Sequence, residues 1–243
     1  MHMDTVKTPR QLDNRLLAAL PDHDQGRILS NCECIELHRG EVLSEPGERI
    51  HAVYFPTNAV VSLVTRLADH PGLEVWLIGR EGMIGAPLVL GVGLTRLHTL
   101  VQGAGPAWRM SAEAFGEALH QSDALQRTLE RYLAVLMSQA ERMVACTRFH
   151  VIEARLARWL LMSQDRAHSN RFHVTHEVLA AMLGVRRAGV TRAAMLLQGS
   201  RLIDYRRGDV TILDRAGLLA AACDCYEAMA AIDEQFMDHR AVP

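Results

Sequence analysis

Apolar and polar positions alternate with three different periods along this chain. Near the start, Leu12, Leu16, Leu17 and Leu20 share one helical face over residues 11–29, until Pro21 interrupts it. From about Ile35 to Met110 the spacing becomes that of short strands. These are expected at Cys32–Leu37, Ala52–Phe55, Val60–Val64, Glu74–Ile78, His98–Gln102 and Ala107–Met110, with turn signals such as Pro46-Gly47, His70-Pro71-Gly72 and Gly103–Pro106 between them. In the Val60–Thr65 stretch apolar residues occupy both alternating sets, as a strand with two covered faces requires. The pattern predicts a small antiparallel β-roll.

After Ser111 the period is helical. Ser111 can cap a short helix ending near His120, and residues 122–148 then run without Pro or Gly. Leu129, Leu136 and Met143 recur at seven-residue intervals, as do Leu125, Tyr132, Gln139 and Cys146, while Leu133 and Ala140 widen the stripe. A seam of this kind predicts pairing with a second copy through Leu125, Leu129, Tyr132, Leu133, Leu136, Gln139, Ala140 and Met143. The same stripe can instead pack on its own β-domain, and the two arrangements are compatible on different sides of the helix. A further amphipathic helix is expected over 149–167, then a polar break at His168–Arg171.

Thr175–Leu197 carries the most specific pattern. Thr175 can cap a helix through Val178, Leu179, Ala180, Met182 and Leu183, and Gly184 offers the positive φ that a tight turn needs. A second helix is expected over residues 186–198. Two short helices joined by a Gly-containing turn form a helix-turn-helix, with Ala180 at the crossing and Val190 facing inward among Leu179, Leu183, Val185 and Ala194. That register leaves Arg186, Arg187, Thr191 and Arg192 outside. A hairpin follows (Leu202–Tyr205, turn Arg206-Arg207-Gly208-Asp209, then Val210–Leu213), and its arginines are placed as a wing. Asp214 can cap a last helix to about His239.

Charge sharpens this picture. Residues 1–145 hold 13 basic and 17 acidic side chains, residues 146–215 hold 12 and 6, and residues 216–243 hold 1 and 5. All 12 bases of the middle segment are arginine, the side chain suited to bidentate contact with phosphate and guanine, so polyanion binding would be confined to that segment. A chain of 243 residues with 49% hydrophobic and 22% charged content reads as folded and not low-complexity, with two domains or one large one. It has no run long enough to span a bilayer, and Met1–Arg10 has no apolar segment resembling a signal peptide, so a cytoplasmic location without membrane partners is expected.

Arg39-Gly40-Glu41-Val42-Leu43, Pro46-Gly47-Glu48, Val53-Tyr54-Phe55, Gly82-Met83-Ile84-Gly85 and Gly184-Val185-Arg186-Arg187-Ala188-Gly189-Val190-Thr191-Arg192 together resemble segments of the Crp–Fnr family of bacterial transcription regulators. The resemblance covers nearly the whole chain and implies an α+β fold: a cyclic-nucleotide-binding-like β-roll (1–121), a dimerisation helix (122–148) and a winged helix-turn-helix domain (149–243). It implies a homodimeric, sequence-specific regulator that binds double-stranded DNA at an inverted repeat and engages RNA polymerase. The DNA contacts so implied are Thr175, Arg186, Arg187, Gly189, Thr191, Arg192, Arg206 and Arg207. Arg187 and Arg192 stand at base-reading positions, and Ala188 replaces a Glu used by many members.

In members that bind cyclic AMP, a Glu, an Arg and a Ser/Thr after the turn glycine hold the ligand. Counted from Gly85, those places are filled by Ala86, Arg96 and Leu97, so one polar group of three survives and cyclic AMP is disfavoured. Another small effector at the β-roll stays open.

No nucleophile elbow, phosphate loop, paired-carboxylate motif or metal-ligand spacing stands out, and no enzyme activity, metal or cofactor is expected. Cys32 and Cys34 are too few for an iron–sulfur cluster and read as structural thiols. Cys223-Asp224-Cys225, placed on a helix, would point its thiols roughly 200° apart, a poor chelate. Cys146 on the seam admits an interchain redox link. The alternative function is a nucleotide-like sensing β-roll with a protein-interaction module at its C-terminal end.

Overall fold

The computed structural model describes residues 13–68 and 70–237. Met1–Arg10, and Gln11 and Leu12 of the expected lead-in helix, lie outside them. Asn14, buried, accepts from the backbone N–H groups of Leu16 and Leu17 and caps a one-turn helix α1 (Arg15–Ala18). Pro21 then sits at the N-cap of α2 (Asp22–Ser30), so the expected lead-in helix is two helices broken where proline removes an amide donor.

The strands are β1 (Glu33–Leu37), β2 (Val42–Ser44), β3 (Ala52–Pro56), β4 (Val60–Leu67), β5 (His70–Ile78), β6 (His98–Gly103) and β7 (Gly105–Ser111). They form sheets of order β1-β7-β3 and β2-β6-β4-β5. The six expected strands are present. The additional β2 has only three residues, too few to show an alternating pattern, and its register with β6 shifts between Val42 and Ser44. Gly85, at φ 92°, opens a 3-10 turn over Ala86–Leu90.

Ser111 caps α3 (Ala112–Gln121) by accepting from Ala114 N–H, and the long helix α4 covers Asp123–Phe149. The remaining elements are α5 (Ile152–Ala167), β8 (Arg171–His173), α6 (His176–Leu183), α7 (Arg187–Gly199), β9 (Ile203–Arg206), β10 (Asp209–Ile212), α8 (Arg215–Ala221) and α9 (Cys225–Met237). A strand not expected from the sequence, β8, begins at Arg171, the last residue of the polar break, and pairs with β10 in a three-stranded sheet of order β8-β10-β9.

The expected single last helix is two. Asp214 does cap α8, but Ala222 is extended at ψ 158°, and α9 begins only at Cys225. The Cys223 amide leaves helical register and donates to Ala154 O at 3.4 Å. Cys223 and Cys225 therefore do not lie on one helix.

The chain divides into two compact units, Met1–Val61 with Ile78–Leu133 and Ser62–Leu77 with Ala134–Pro243. In the second, one apolar core gathers Leu156, Leu160 and Leu161 of α5, Leu179 and Leu183 of α6, Val190, Ala194 and Leu197 of α7, Ile203 and Val210 of the hairpin, and Val64 of β4. Glu74 of β5 is buried in this unit. Trp159 Nε1 donates to its carboxylate at 2.8 Å and Ser62 Oγ is its other partner. Burial pushes its pKa up to about 7 against the lowering effect of those two hydrogen bonds.

The unfolded carboxyl titrates near the ordinary value, so between those two pH values the native state holds more protons. Stability should fall as pH rises from about 4.5 to about 7 and stay lower above, by on the order of 3 kcal/mol. Glu74→Gln keeps an acceptor for Trp159 and removes the titration. Urea denaturation at pH 5 and pH 8 should show the variant gaining on the wild type only at the higher pH.

Candidate nucleic-acid interface

Thr175 accepts from Val178 N–H and fixes the start of α6, and Gly184, at φ 61°, ends it. The Val185 amide donates to Ala180 O at 2.9 Å, which closes the turn before α7. Arg186 is the N-cap of α7, so the second helix begins at Arg187, one residue later than the apolar pattern suggests. Val190, Ala193, Ala194 and Leu197 are buried, while Arg187, Ala188, Arg192, Met195 and Leu196 are exposed. A helix with this division is anchored on one side and offers the other to a partner.

The expected contact residues distribute as follows. Arg186, Arg187 and Arg192 project from α7, and Arg187 lies 4.0 Å from Glu177, a loose exposed pair that a stronger anion can displace. Thr191 is half-buried. Its hydroxyl lies 3.0 Å from His176 Nδ1 and 3.1 Å from Arg187 O, so it holds α7 to the start of α6. Gly189 does not belong to the outer face. It is half-buried, and a Cβ there would come within 2.8 Å of the end of the Ile152 side chain in the first turn of α5. Thr175 is exposed beside these residues.

Arg206 and Arg207 are exposed at the tip of the β9–β10 hairpin. The connection is tighter than expected, two residues rather than four. Arg207 (φ 53°) and Gly208 (φ 91°) both take the positive φ of a type I′ turn. Val174 N–H donates to Gly208 O at 2.7 Å and Tyr205 OH to Val174 O at 2.6 Å, fixing the hairpin against the chain leading into α6. His173 lies 3.0 Å from Asp209 through Nδ1. The ring of His176 meets that of Tyr205 edge-on at 4.6 Å. Burial, and after it the charge of Arg187, holds the His176 pKa below its ordinary value, so this imidazole is neutral at pH 7.

Thr175, His176, Arg187, Met195, Tyr205 and Arg207 line a cleft of about 370 Å³ between α6, α7 and the wing. Sequence reasoning singled out Ala188 but missed Met195, and both are exposed apolar groups on the cationic face. The signal for Met195 was available, since position 195 is one turn beyond Thr191.

Two other groups of expectations are corrected or placed. On α4, Leu125, Leu129, Tyr132 and Leu136 are buried within the protomer, and Tyr132 OH is tied to the backbone of Met83. Gln139 donates to Asp233 at 2.8 Å, and Met143 Sδ accepts from Arg158 at 3.5 Å. Cys146 is fully buried 3.7 Å from Cys223, so it does not face a partner chain. The other two of the eight seam positions, Leu133 and Ala140, are half-buried. In the β-roll, Ala86 is buried, Gly85 and Leu97 are half-buried and Arg96 is exposed. Cys32 is half-buried with its thiol pushed up to about 12 by burial, and Cys34 is raised by burial and then by Glu36, so both stay protonated as structural thiols do.

The comparisons agree with this geometry. Residues 154–221 match the Crp-like helix-turn-helix domain. A crp/fnr-family regulator from Eubacterium rectale superimposes with a TM-score of 0.68 at 16% identity, covering 86% of this chain and 98% of that one. FixK2 from Bradyrhizobium japonicum gives 0.66 at 15% identity, with 79% and 98% covered. A CRP-family regulator from Thermus thermophilus gives 0.64 at 22% identity, with 79% and 99% covered. No curated protein sequence matches the chain. Residues 154–221 are thus a Crp-like helix-turn-helix domain, and the chain has the fold of Crp/Fnr regulators. Among the described residues no helix is long and apolar enough to cross a membrane.

The wing turn gives a paired test. Gly208→Ala places a Cβ 2.7 Å from the His173 ring at a positive φ and should destabilise by roughly 1–2 kcal/mol or more. Arg207→Asn, which completes the Asn-Gly pair favoured in type I′ turns, should stabilise by up to about 1 kcal/mol. Urea midpoints moving in opposite directions are the expected result.

Proposed function

We propose that the protein is a homodimeric, sequence-specific DNA-binding transcriptional regulator of Crp/Fnr type, reading DNA with α7 and clamping the backbone with the β9–β10 wing. The observation that carries the reading is the two-sided character of α7: a fully buried inner face, and an outer face of Arg186, Arg187 and Arg192 continued by Arg206 and Arg207 on the wing. The N-terminal residues of a recognition helix reach base edges in the major groove, and bases flanking it meet phosphates. Arg187 and Arg192 are the base readers in this scheme. Ala188 and Met195 supply apolar contact of the kind a thymine methyl accepts. Arg186, Thr175, Arg206 and Arg207 hold phosphates, and Thr191 positions Arg187 by tying the helix to His176.

For the dimer, the seam moves to the side of α4 that the protomer leaves open. Leu133, Met137, Ala140 and Val144 follow one another at spacings of four, three and four, and Met137 and Val144 are 66% and 71% exposed. That is the a/d spacing of a two-stranded coiled coil. Pairing about a two-fold axis there would present two α7 helices to half-sites about 34 Å apart on an inverted repeat. Ala86 and Leu97, in the places of a carboxylate and a hydroxyl, argue against cyclic AMP as the signal at the β-roll.

Two measurements test the reading. DNA selected by the protein from a random library should be an inverted repeat, bound with an affinity that falls steeply between 50 and 200 mM salt, by about 10³-fold or more if six or more phosphates are neutralised. Arg187→Ala should cost about 1–3 kcal/mol at one base position of each half-site, whereas Arg206→Ala should weaken all sequences alike and flatten the salt slope. An unchanged half-site preference in the Arg187 variant would count against this helix as the reader.

Met137→Glu combined with Val144→Glu should give a folded monomer by sedimentation, with Leu129→Glu failing to fold instead. A dimer that survives the double change would place the interface elsewhere.

A further inference from the structure

Cys146 at the last full turn of α4, His150 just past its end, Cys223 within the break between α8 and α9, and Cys225 at the start of α9 converge on one point. Their four ligand atoms all lie within 4.8 Å of one another. We propose that these four side chains bind one divalent ion of the zinc class, in a closed tetrahedral Cys3His site that pins the end of α4 to the α8–α9 break.

Several independent observations bear on this. Metal–sulfur bonds of about 2.3 Å and metal–nitrogen bonds of about 2.0–2.1 Å at tetrahedral angles set two sulfurs about 3.8 Å apart and a sulfur and nitrogen about 3.6 Å apart. Cys146 Sγ and Cys223 Sγ are separated by 3.7 Å, and Cys225 Sγ and His150 Nδ1 by 3.5 Å. The backbone is shaped for the purpose. An i, i+2 pair on a continuous helix diverges, but the chain leaves helical geometry at Ala222 and returns at Cys225, and that turn brings both thiols inward. Cys146 and His150 are four residues apart, one helical turn, and so share a side.

The surroundings also fit. His150 offers Nδ1 to the cluster while its Nε2 lies 3.4 Å from Asp224 Oδ1, the carboxylate–imidazole relay that fixes the tautomer of a metal-bound histidine. Three thiolates and an imidazole around a divalent ion carry a net charge of −1, and Arg158, whose charge acts on Cys146 and Cys223, is suited to it. The Arg158 guanidinium is almost wholly buried, its contacts are the sulfurs of Met143, Met162 and Met229, and its Nε has no hydrogen-bond partner. A buried guanidinium held by thioethers is stabilised by anions nearby; the Glu74 carboxylate is one, and the thiolate site supplies another. The three cysteines are buried, while His150 is one-third exposed and gives the ion a path in. Thiolate and imidazole in tetrahedral array select zinc over the hard oxygen-seeking ions. Each thiol releases its proton to the medium on binding, so affinity falls as pH falls.

The site stands on its own geometry, whatever the DNA reading becomes. The test uses the full chain, purified under reducing, anaerobic conditions and stripped with a chelator. Titration with Co²⁺ alone should saturate at one ion per chain, with intense visible bands of tetrahedral cobalt and a thiolate-to-metal charge-transfer band, and Zn²⁺ should then displace it and raise the thermal midpoint. The double variant Cys223→Ser, Cys225→Ser should lose those bands, and Cys32→Ser with Cys34→Ser should keep them. Asp224→Asn should retain the tetrahedral spectrum and weaken binding roughly 10–100-fold, an outcome that does not depend on whether a cysteine variant folds. Weak, octahedral or absent Co²⁺ binding by the wild type, loss of the spectrum in the Cys32/Cys34 variant, or a metal-free Cys146–Cys223 disulfide in the protein as isolated would each overturn the proposal.

Discussion

Helix α5 is covered on every side, and much of the C-terminal unit follows from that. Its buried residues run Arg155, Leu156, Ala157, Arg158, Trp159, Leu160, Leu161, then Ser163 and Gln164, with no solvent-facing stripe until the last turn. A helix enclosed in this way must look to the protein for its polar partners, because water is not available to supply them, and it finds most but not all: Arg155 Nε, Arg158 Nε and Ser163 Oγ have none. Arg155 reaches the carbonyl of Leu183 at the end of α6, so the helix-turn-helix turn is held by a charge in the core. Trp159 meets Glu74, Gln164 meets Asn170 and Arg215, and Arg158 is turned among methionine sulfurs on the side of the cysteine cluster. Three surroundings that look unrelated in sequence, a β-hairpin carboxylate, a helix turn and a thiol group, are organised by the polar residues of one buried helix.

The outer chemistry of α7 depends on the same enclosure. Arginines on an exposed helix serve as readers only if the helix cannot roll, and here the roll is fixed from both ends. Gly189, in the first turn of α7, lies against Ile152, and Leu197 closes the other end into the core. Thr191 adds a polar latch to His176, whose imidazole is kept neutral by burial and by Arg187 and so adds no competing charge. The residues that make α7 a rigid presenter are therefore neutral and partly hidden, while the residues that would touch a duplex are nearly all arginine.

What the sequence conveyed and what it withheld divide along a physical line. Features fixed within a few residues were legible: the caps at Ser111, Thr175 and Asp214, the positive φ at Gly184, the inward Val190 and the hairpin around Gly208. Each is a local conflict or a local match between a side chain and the backbone, and local sequence states it. Strands β2 and β8, with three residues each, are too short to show a period and exist only because a partner strand is there to pair with them. The break at Ala222–Asp224 has no proline or glycine to announce it. It is imposed by the burial of Cys223 and Cys225 against residues more than seventy positions earlier, and that is why an i, i+2 spacing judged on a continuous helix gave the opposite geometry.

Helix α4 shows the remaining kind of ambiguity. Seven-residue periodicity records that a helix has an apolar stripe, but an intramolecular partner and a second copy of the chain reward the same spacing. In α4 both kinds of stripe are present, displaced around the helix. Leu125, Leu129, Tyr132 and Leu136 are buried by the protomer itself, and the stronger pattern in the sequence is this one. Leu133, Met137, Ala140 and Val144 form a second stripe with smaller and more flexible side chains, harder to recognise because Ala and Met weigh little in a hydrophobic pattern. Burial within the protomer separates the two: one apolar stripe is already covered, while in the other Met137 and Val144 stay exposed at coiled-coil spacing. Because α4 ends at Phe149 and α5 begins at Ile152, the helix that carries that second stripe is joined within three residues to the helix that holds the helix-turn-helix turn.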